Sequence, residues 1–421
     1  TNDMIIYTAQ TFLPVFSSGN ENWNGPATQP VWHWSRYGGD WRWTNSIRPL
    51  DGGAEGYHTV NTYGVSKNNL VVGAVEKIPG GYTSPASVSL ARFSSAGPTD
   101  DGRIKPDLVA AGIGLYSSTY TNTTSYGTKS GTSMAAPSVA GVLGLLTELH
   151  QRHFGAQQPL LASSLKAVVL NTTDEAGAAA GPDYLHGWGL LNATRAAWLM
   201  INNIQSQSLA HLKEVRLDSG DYIEFPIVAT NTQPLRVTIC WTDPAGTSPP
   251  AGLNPTNLML VNDLDLRLIS PTGTTNYPWV LNPANRTAAA TTGDNFRDNV
   301  EQAEVTSPAS GVWLVRVTHK GQLRDDQGAV ADQRVSIALW GNLAQPPVLP
   351  RFTQIAMVSS NAVSLRWDSE VGRVYKVQHR DDVASGAWQD STGEISATKT
   401  NTAVTLSADS GNRFYRLVQL R

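Results

Sequence analysis

Apolar positions follow two patterns along the chain. Up to about residue 204, short apolar runs alternate with helical spacings. Residues 1–9 read as the end of a helix. Phe12-Leu13-Pro14-Val15-Phe16 is an apolar run that stops at Ser17-Ser18-Gly19-Asn20, which predicts a buried strand leaving into a loop. Asn69–Val75 and Ile104–Gly112 predict two more short strands, and residues 21–66 show little regular pattern. After Gly131, the positions Met134, Ala135, Ala136, Val139, Ala140, Val142, Leu143, Leu145, Leu146 and Leu149 make a helix that is apolar nearly all round, which predicts burial. Ser163–Asn171 predicts another helix. Short apolar strands alternating with helices imply an α/β layer with a parallel sheet.

From about residue 205 the period becomes two. Strands are predicted at Tyr222–Ala229, Leu235–Trp241, Leu264–Ile269, Val312–His319 and Val335–Trp340, with Asp-Ser-Gly, Pro-Thr-Gly and Pro-Ala-Ser-Gly turns between them. That is the pattern of a β-sandwich or jelly roll. Gln345–Pro350 reads as a stiff linker. Ala362–Trp367, Val374–His379, Ala403–Leu406 and Phe414–Gln419 predict a small fibronectin-III-like β domain. The expected domains are 1–204, 205–344 and 345–421. No long repeat indicates a solenoid.

Composition narrows the partners. The 421 residues carry Lys+Arg 31 against Asp+Glu 34, a net charge of −3. Neither nucleic acid nor an anionic membrane is expected as a partner. Charged residues make up only 15%, which fits a secreted, loop-rich protein. The single cysteine, Cys240, excludes an intramolecular disulfide, and its apolar surroundings predict a small core residue. No apolar run reaches transmembrane length, and no signal-peptide pattern is visible. The first residue is Thr1, which reads as a processed or truncated product.

The candidate chemistry centres on Ser133, where a turn becomes a helix. The free N–H groups and positive dipole end of a helix favour developing negative charge, which suits a nucleophile. An N-cap serine before a core helix is the other reading of the same residues. The full stretch Gly131-Thr132-Ser133-Met134-Ala135-Ala136-Pro137-Ser138-Val139-Ala140-Gly141 resembles the active-site serine motif of subtilisin-like serine proteases, the subtilases. Ser66–Ala74, Phe93–Asp107 and Gly187–Asn192 resemble further subtilase segments. Residues 207–343 are similar to the C-terminal β-sandwich of large alkaline subtilases and of kexin-type proteases.

The resemblance implies an α/β fold made of the C-terminal half of a subtilisin-like parallel-sheet domain, followed by the two β domains. It implies that Ser133 is the nucleophile and that Asn20 donates to the oxyanion together with the Ser133 N–H. Ser17, Ser18 and Gly19 would form one wall of the pocket for the residue before the cut. Asp107 would be a structural carboxylate. The substrate would be a protein or peptide. Asp263 and Asp265, with Asp294, Asp298, Asn299 and Glu301, lie in segments that resemble their counterparts in the alkaline subtilases. As hard oxygen ligands they predict a structural Ca²⁺, against a reading as polar turns that cap their own backbone.

One departure matters. Subtilases order their triad Asp, His, Ser, with Asp-x-Gly and His-Gly-Thr motifs ahead of the oxyanion asparagine. Nineteen residues precede Asn20, and they contain neither motif. Asp51-Gly52-Gly53 with His58, and His186-Gly187, are the available substitutes, and both histidines read better as surface or loop residues. The base and the acid are therefore expected in an N-terminal half outside this chain, which packs against it. The chain alone is then expected to be inactive. Trp32, Trp34, Trp41 and Trp43 are expected to pack within their own insertion. The competing reading is a catalytically inactive secreted binding protein with a subtilase remnant. Keeping both Ser133 and Asn20 argues against it.

Overall fold

The computed structural model describes residues 2–22, 57–205, 211–250, 254–344, 351–369, 371–382, 387–407 and 413–420, together with the backbone of 31–35 and 40–44. The chain forms two compact units, Thr1–Gln345 and Pro346–Arg421.

The first unit opens with helix α1 (Asn2–Thr8) and a parallel sheet in the order β1-β4-β5, where β1 is Val15–Ser17, β4 Leu70–Val75 and β5 Leu108–Ala111. All six residues of β4 are buried. A parallel strand covered on both faces has no polar side, so its sequence is a continuous apolar run. Two hairpins that the sequence pattern did not signal interrupt this layer. They are β2–β3 (Val31–Ser35 with Asp40–Thr44) and β6–β7 (Leu115–Ser118 with Tyr126–Lys129).

Helix α2 (Thr132–Phe154) packs on β1, β4 and β5. It corrects one expectation. Only Thr132, Ala135, Ala136, Val139, Leu143 and Leu146 are buried, while Ala140, Gly141 and Gly144 are exposed and Leu145 is 67% exposed. The expectation that no apolar run reaches spanning length is also corrected, since α2 is long and apolar enough by length and composition alone. The helix buried on every side is instead α3 (Ala162–Asn171), all ten residues of which are covered, Lys166 included. It is followed by α4 (Ala193–Gln205), which the pattern also missed.

The sandwich explains the burial of α3. Its four-stranded sheet runs β15-β10-β17-β8, with β8 Leu212–Leu217, β10 Leu235–Trp241, β15 Val300–Val305 and β17 Gln333–Trp340. Its five-stranded sheet runs β12-β11-β16-β9-β18, with β9 Ile223–Ala229, β11 Leu264–Ile269, β12 Thr275–Asn276, β16 Gly311–His319 and β18 Leu343–Ala344. A short pair, β13 (Trp279–Val280) and β14 (Thr291–Thr292), lies outside both. Leu217, Val237, Trp241, Leu266, Val315 and Ile337 share one core between the sheets. The opposite face of the four-stranded sheet supplies Cys240, Val300 and Ala338 to the core that contains α3. The α/β layer and the sandwich therefore share apolar core, and they fall in one compact unit.

In the second unit the strands are β19 (Phe352–Ser359), β20 (Ala362–Asp368), β21 (Val374–Arg380), β22 (Gln389–Asp390), β23 (Ile395–Ser396), β24 (Asn401–Ser407) and β25 (Phe414–Gln419). They form sheets β19-β20-β24 and β22-β21-β23 with β25 on β21, around Leu365, Trp367, Tyr375 and Val377. The expected linker at 345–350 lies outside the described residues.

Candidate active site

Two chain segments far apart in sequence meet at the N-terminus of α2. The first is the loop leaving β1. Ser18 N–H donates to Val72 O, which carries the parallel pairing one residue past the strand. Gly19 then adopts φ +115° and the chain turns outward to Asn20. The second is the end of β5, where Gly131 N–H donates to Gly112 O at 2.8 Å and fixes the start of the helix.

Asn20 closes the junction. Its Oδ1 accepts from Thr132 N–H at 3.0 Å and from the Thr132 hydroxyl at 2.9 Å. A backbone N–H can only donate, so the atom facing Thr132 is the oxygen, and the Nδ2 group is left to point elsewhere. Gly131 has φ +151°, and a Cβ built there would lie 3.7 Å from Asn20 Nδ2 and equally 3.7 Å from Ser133 N. Asn20 Nδ2, Ser133 N and Met134 Sδ thus all lie within contact distance of one spot beside Gly131. Ser133 is exposed. It is the second residue of α2, and the N-cap position is Gly131, with no side-chain capping bond. The N-cap reading of this serine is thereby removed.

The expected pocket wall is only partly accessible. Ser18 is fully buried, with its hydroxyl lacking a partner among the described residues. Ser17 and Gly19 keep partial exposure. All three carbonyls are occupied: Asn61 Nδ2 donates to Ser17 O, Asn61 N to Ser18 O and Ser95 N to Gly19 O. Asn61, Ser95 and Thr132 are the site residues that sequence reasoning did not single out, although Ser95 and Thr132 lie in segments already recognised.

Among the described residues no hydrogen bond joins a histidine to Ser133, and His153 meets the Phe154 ring edge-on. Of the eight histidines in the chain, the His33 side chain lies outside the described residues, as does Asp51. His150, His211, His319 and His379 bond elsewhere. His186 is buried and faces Asp183 at 3.1 Å, so it is a loop residue but not a surface one. His58 is half-buried in a left-handed conformation, φ 56°, and its ring is held below the usual imidazole range by burial and then by Arg286. Asp107 touches no histidine. Its carboxyl accepts from Val71 N–H and from the ammonium groups of Lys105 and Lys166 at 2.6 and 2.9 Å. Burial works to raise this carboxyl, but the two lysines overcome it and hold it below the usual range. The side chains of Trp32, Trp34, Trp41 and Trp43 lie outside the described residues.

The donors expected for Ca²⁺ do not fit that ion. Among the described residues no group of three or more His, Cys, Asp or Glu is arranged to hold a metal. Arg267 bridges Asp265 and Asp294, and Lys320 reaches Asp265 at 3.0 Å and Asp263 at 3.4 Å, so two protein cations meet the charge. Asp298 accepts from Ile104 N–H and from Asn295, and Asn299 donates to Trp241 O and Asn68. Glu301 is buried with Oε1 unpartnered, and burial pushes its carboxyl well above the usual range.

Known proteins resemble parts of this chain. The subtilase family matches residues 2–189. The C5a peptidase of Streptococcus pyogenes serotype M3 is 39% identical over 94 residues, 22% of this chain and 8% of that protein. Pyrolysin of Pyrococcus furiosus is 51% identical over 69 residues, 16% of this chain and 5% of that protein. The subtilisin-like protease SBT3.2 of Arabidopsis thaliana is 31% identical over 131 residues, 27% of this chain and 17% of that protein. The matched stretch spans less than a fifth of the length of each of these three relatives.

Proposed function

Residues 2–189 belong to the subtilase family, and from that premise we propose that this chain carries the nucleophile and the oxyanion donors of an extracellular serine endopeptidase. The observation that carries the proposal is the orientation of Asn20. Thr132 takes its oxygen, so its Nδ2 and the Ser133 N–H border the same space.

Ser133 Oγ attacks the scissile carbonyl of a protein or peptide. The carbonyl oxygen becomes an oxyanion, which Asn20 Nδ2–H and Ser133 N–H receive at the positive end of α2. The hydroxyl proton must leave during attack, and a neutral serine is a weak nucleophile without a base. In this proposal a histidine oriented by a carboxylate, both from polypeptide outside this chain, takes that proton and returns it to the departing amine. Water then opens the acyl ester by the same steps reversed. Three observations support an outside contributor: the other hydrogen bonds of His150, His186, His211, His319 and His379, the exposed apolar face of α2, and Met4 and Ile5 of α1 at 51% and 58% exposure. The placement outside the cell rests on the low charge content and loop-rich composition.

The test is casein hydrolysis by the complete protease, this chain joined by the polypeptide that supplies base and acid, with and without Ser133→Ala. Turnover that depends on Ser133 is the expected result. Turnover that survives the substitution overturns the proposal.

A further inference from the structure

An oxyanion donor works only where its N–H is aimed, and Asn20 sits on an exposed loop. Resting on the protease reading above, we propose that Ser95 is the residue that positions Asn20. Ser95 grips the chain on both sides of it. The Ser95 N–H donates to Gly19 O at 2.9 Å, and the Ser95 hydroxyl oxygen accepts from Glu21 N–H at 2.9 Å. One fully buried residue, through its backbone N–H on one side and its hydroxyl on the other, therefore fixes the peptide groups before and after Asn20.

The approach is close enough to dictate the neighbouring residue. A Cβ on Gly19 would fall 2.7 Å from Ser95 Oγ, so the grip needs glycine at 19. Ser95 is itself anchored to the middle of the sheet. The preceding Ser94 accepts at Oγ from Ala74 N–H of β4 at 2.9 Å. The following Ala96 exchanges bonds with Thr59, N–H to Oγ1 and O to N–H, both at 2.9 Å. Beyond Glu21, Asn22 Nδ2 donates to Ser94 O at 2.9 Å and prolongs the same contact. The order of connection is β4, Ser94, Ser95, the loop, Asn20 and then Thr132 at the start of α2. Ser95 touches no reacting atom and acts through Asn20 alone, which makes it a positioning residue.

Ser95→Ala removes the acceptor for Glu21 N–H and leaves the bond to Gly19 O. The loop then loses one of the two Ser95 bonds that flank Asn20 and keeps the other. A misplacement on the order of 1 Å costs up to roughly 10²-fold in rate, so loss of one restraint is expected to lower kcat by about tenfold. The experiment uses the complete protease, with kcat counted per Ser133 titrated by a fluorophosphonate so that unfolded molecules do not contribute. It is run in the wild-type and Asn20→Ala backgrounds, with a melting curve for each variant.

The expected result is a kcat about tenfold lower with KM within about twofold, and a further change of less than about twofold once Asn20 is already alanine. Ser95→Cys, a poorer acceptor of similar size, should fall between the two and gives a second variant if the alanine form yields few titratable sites. An unchanged kcat per titrated site, or the same factor in both backgrounds, overturns the inference while the protease reading stands. A wild-type complete protease without turnover overturns the protease reading, and this inference with it.

Discussion

Thr132 gives both of its donors, backbone and hydroxyl, to one atom of Asn20, 112 residues away in the chain. The residue next to Ser133 thus sets which end of the asparagine amide faces the proposed site. Replacing Asn20 tests the outcome directly. In the complete protease Asn20→Ala should lower kcat by roughly 10²–10³ with KM little changed, because its bond forms mainly in the transition state. Ser133→Ala should abolish turnover and leave melting within about 1 kcal/mol of wild type, since the serine is exposed and caps nothing. Paired melting curves and steady-state rates check both. A Ser133→Ala protein that unfolds more than it slows would make the serine structural.

The purified chain by itself should hydrolyse casein negligibly, since among the described residues no hydrogen bond joins a histidine to Ser133. A Ser133-dependent rate comparable to that of the complete protease, measured on this chain alone, would show that a base lies within it.

Asp107 is the carboxylate that both buried lysines, Lys105 and Lys166, are paired with, so its loss strands them. Asp107→Ala should cost about 3–5 kcal/mol in denaturant melts at neutral pH. The native carboxyl is held below its usual value. Its contribution is therefore fully present above the unfolded carboxylate range and is lost as pH falls through the native value. The gap between wild type and variant should narrow below about pH 4. A gap that is constant with pH would detach the acid limb from this residue.

Glu301 has the opposite sign. Burial raises its native carboxyl, so the native state holds its proton at pH values where the unfolded chain has lost it, and stability drains away as pH rises through that window. Glu301→Gln, a permanently neutral mimic, should stabilise by on the order of 1–3 kcal/mol at pH 8 and by progressively less toward pH 4. Urea melts at the two pH values decide it, and equal effects at both would refute the burial argument.

Excess chelator should leave the melting curve of the first unit unchanged, because Arg267 and Lys320 already meet the charge of Asp263, Asp265 and Asp294. Arg267→Ala should then create sensitivity to added Ca²⁺. A drop in Tm on chelation of the unaltered protein would restore the metal to the sandwich.

The strands were legible where burial and periodicity agree. Leu235–Trp241 and Leu264–Ile269 were placed to the residue, because each carries apolar side chains on a core face that the period-two pattern reveals. The helices misled for a physical reason. The apolarity of α2 predicted burial all round, yet half of it lies open, while α3 is wholly buried despite Ser163, Ser164 and Lys166. Hydrogen bonds satisfy those polar groups, Ser163 and Ser164 with Ser336, and Lys166 with Lys67 O, Asn69 O and Asp107. Pairing of that kind joins residues up to 173 apart, which no local window contains. The same limit hid Ser95. Its segment was recognisable, but its grip on both sides of Asn20 exists only once residues 19–21 and 95 are brought together.

Helix α3 has no outer surface at all. A chain cut after residue 204 would carry a helix with one flank stripped, its Ser163 and Ser164 facing water where Ser336 and the four-stranded sheet had been. The sandwich is then no detachable accessory that recombination can trade between proteases. It has to be inherited with the layer that carries Ser133, and heating should melt the two as a single transition.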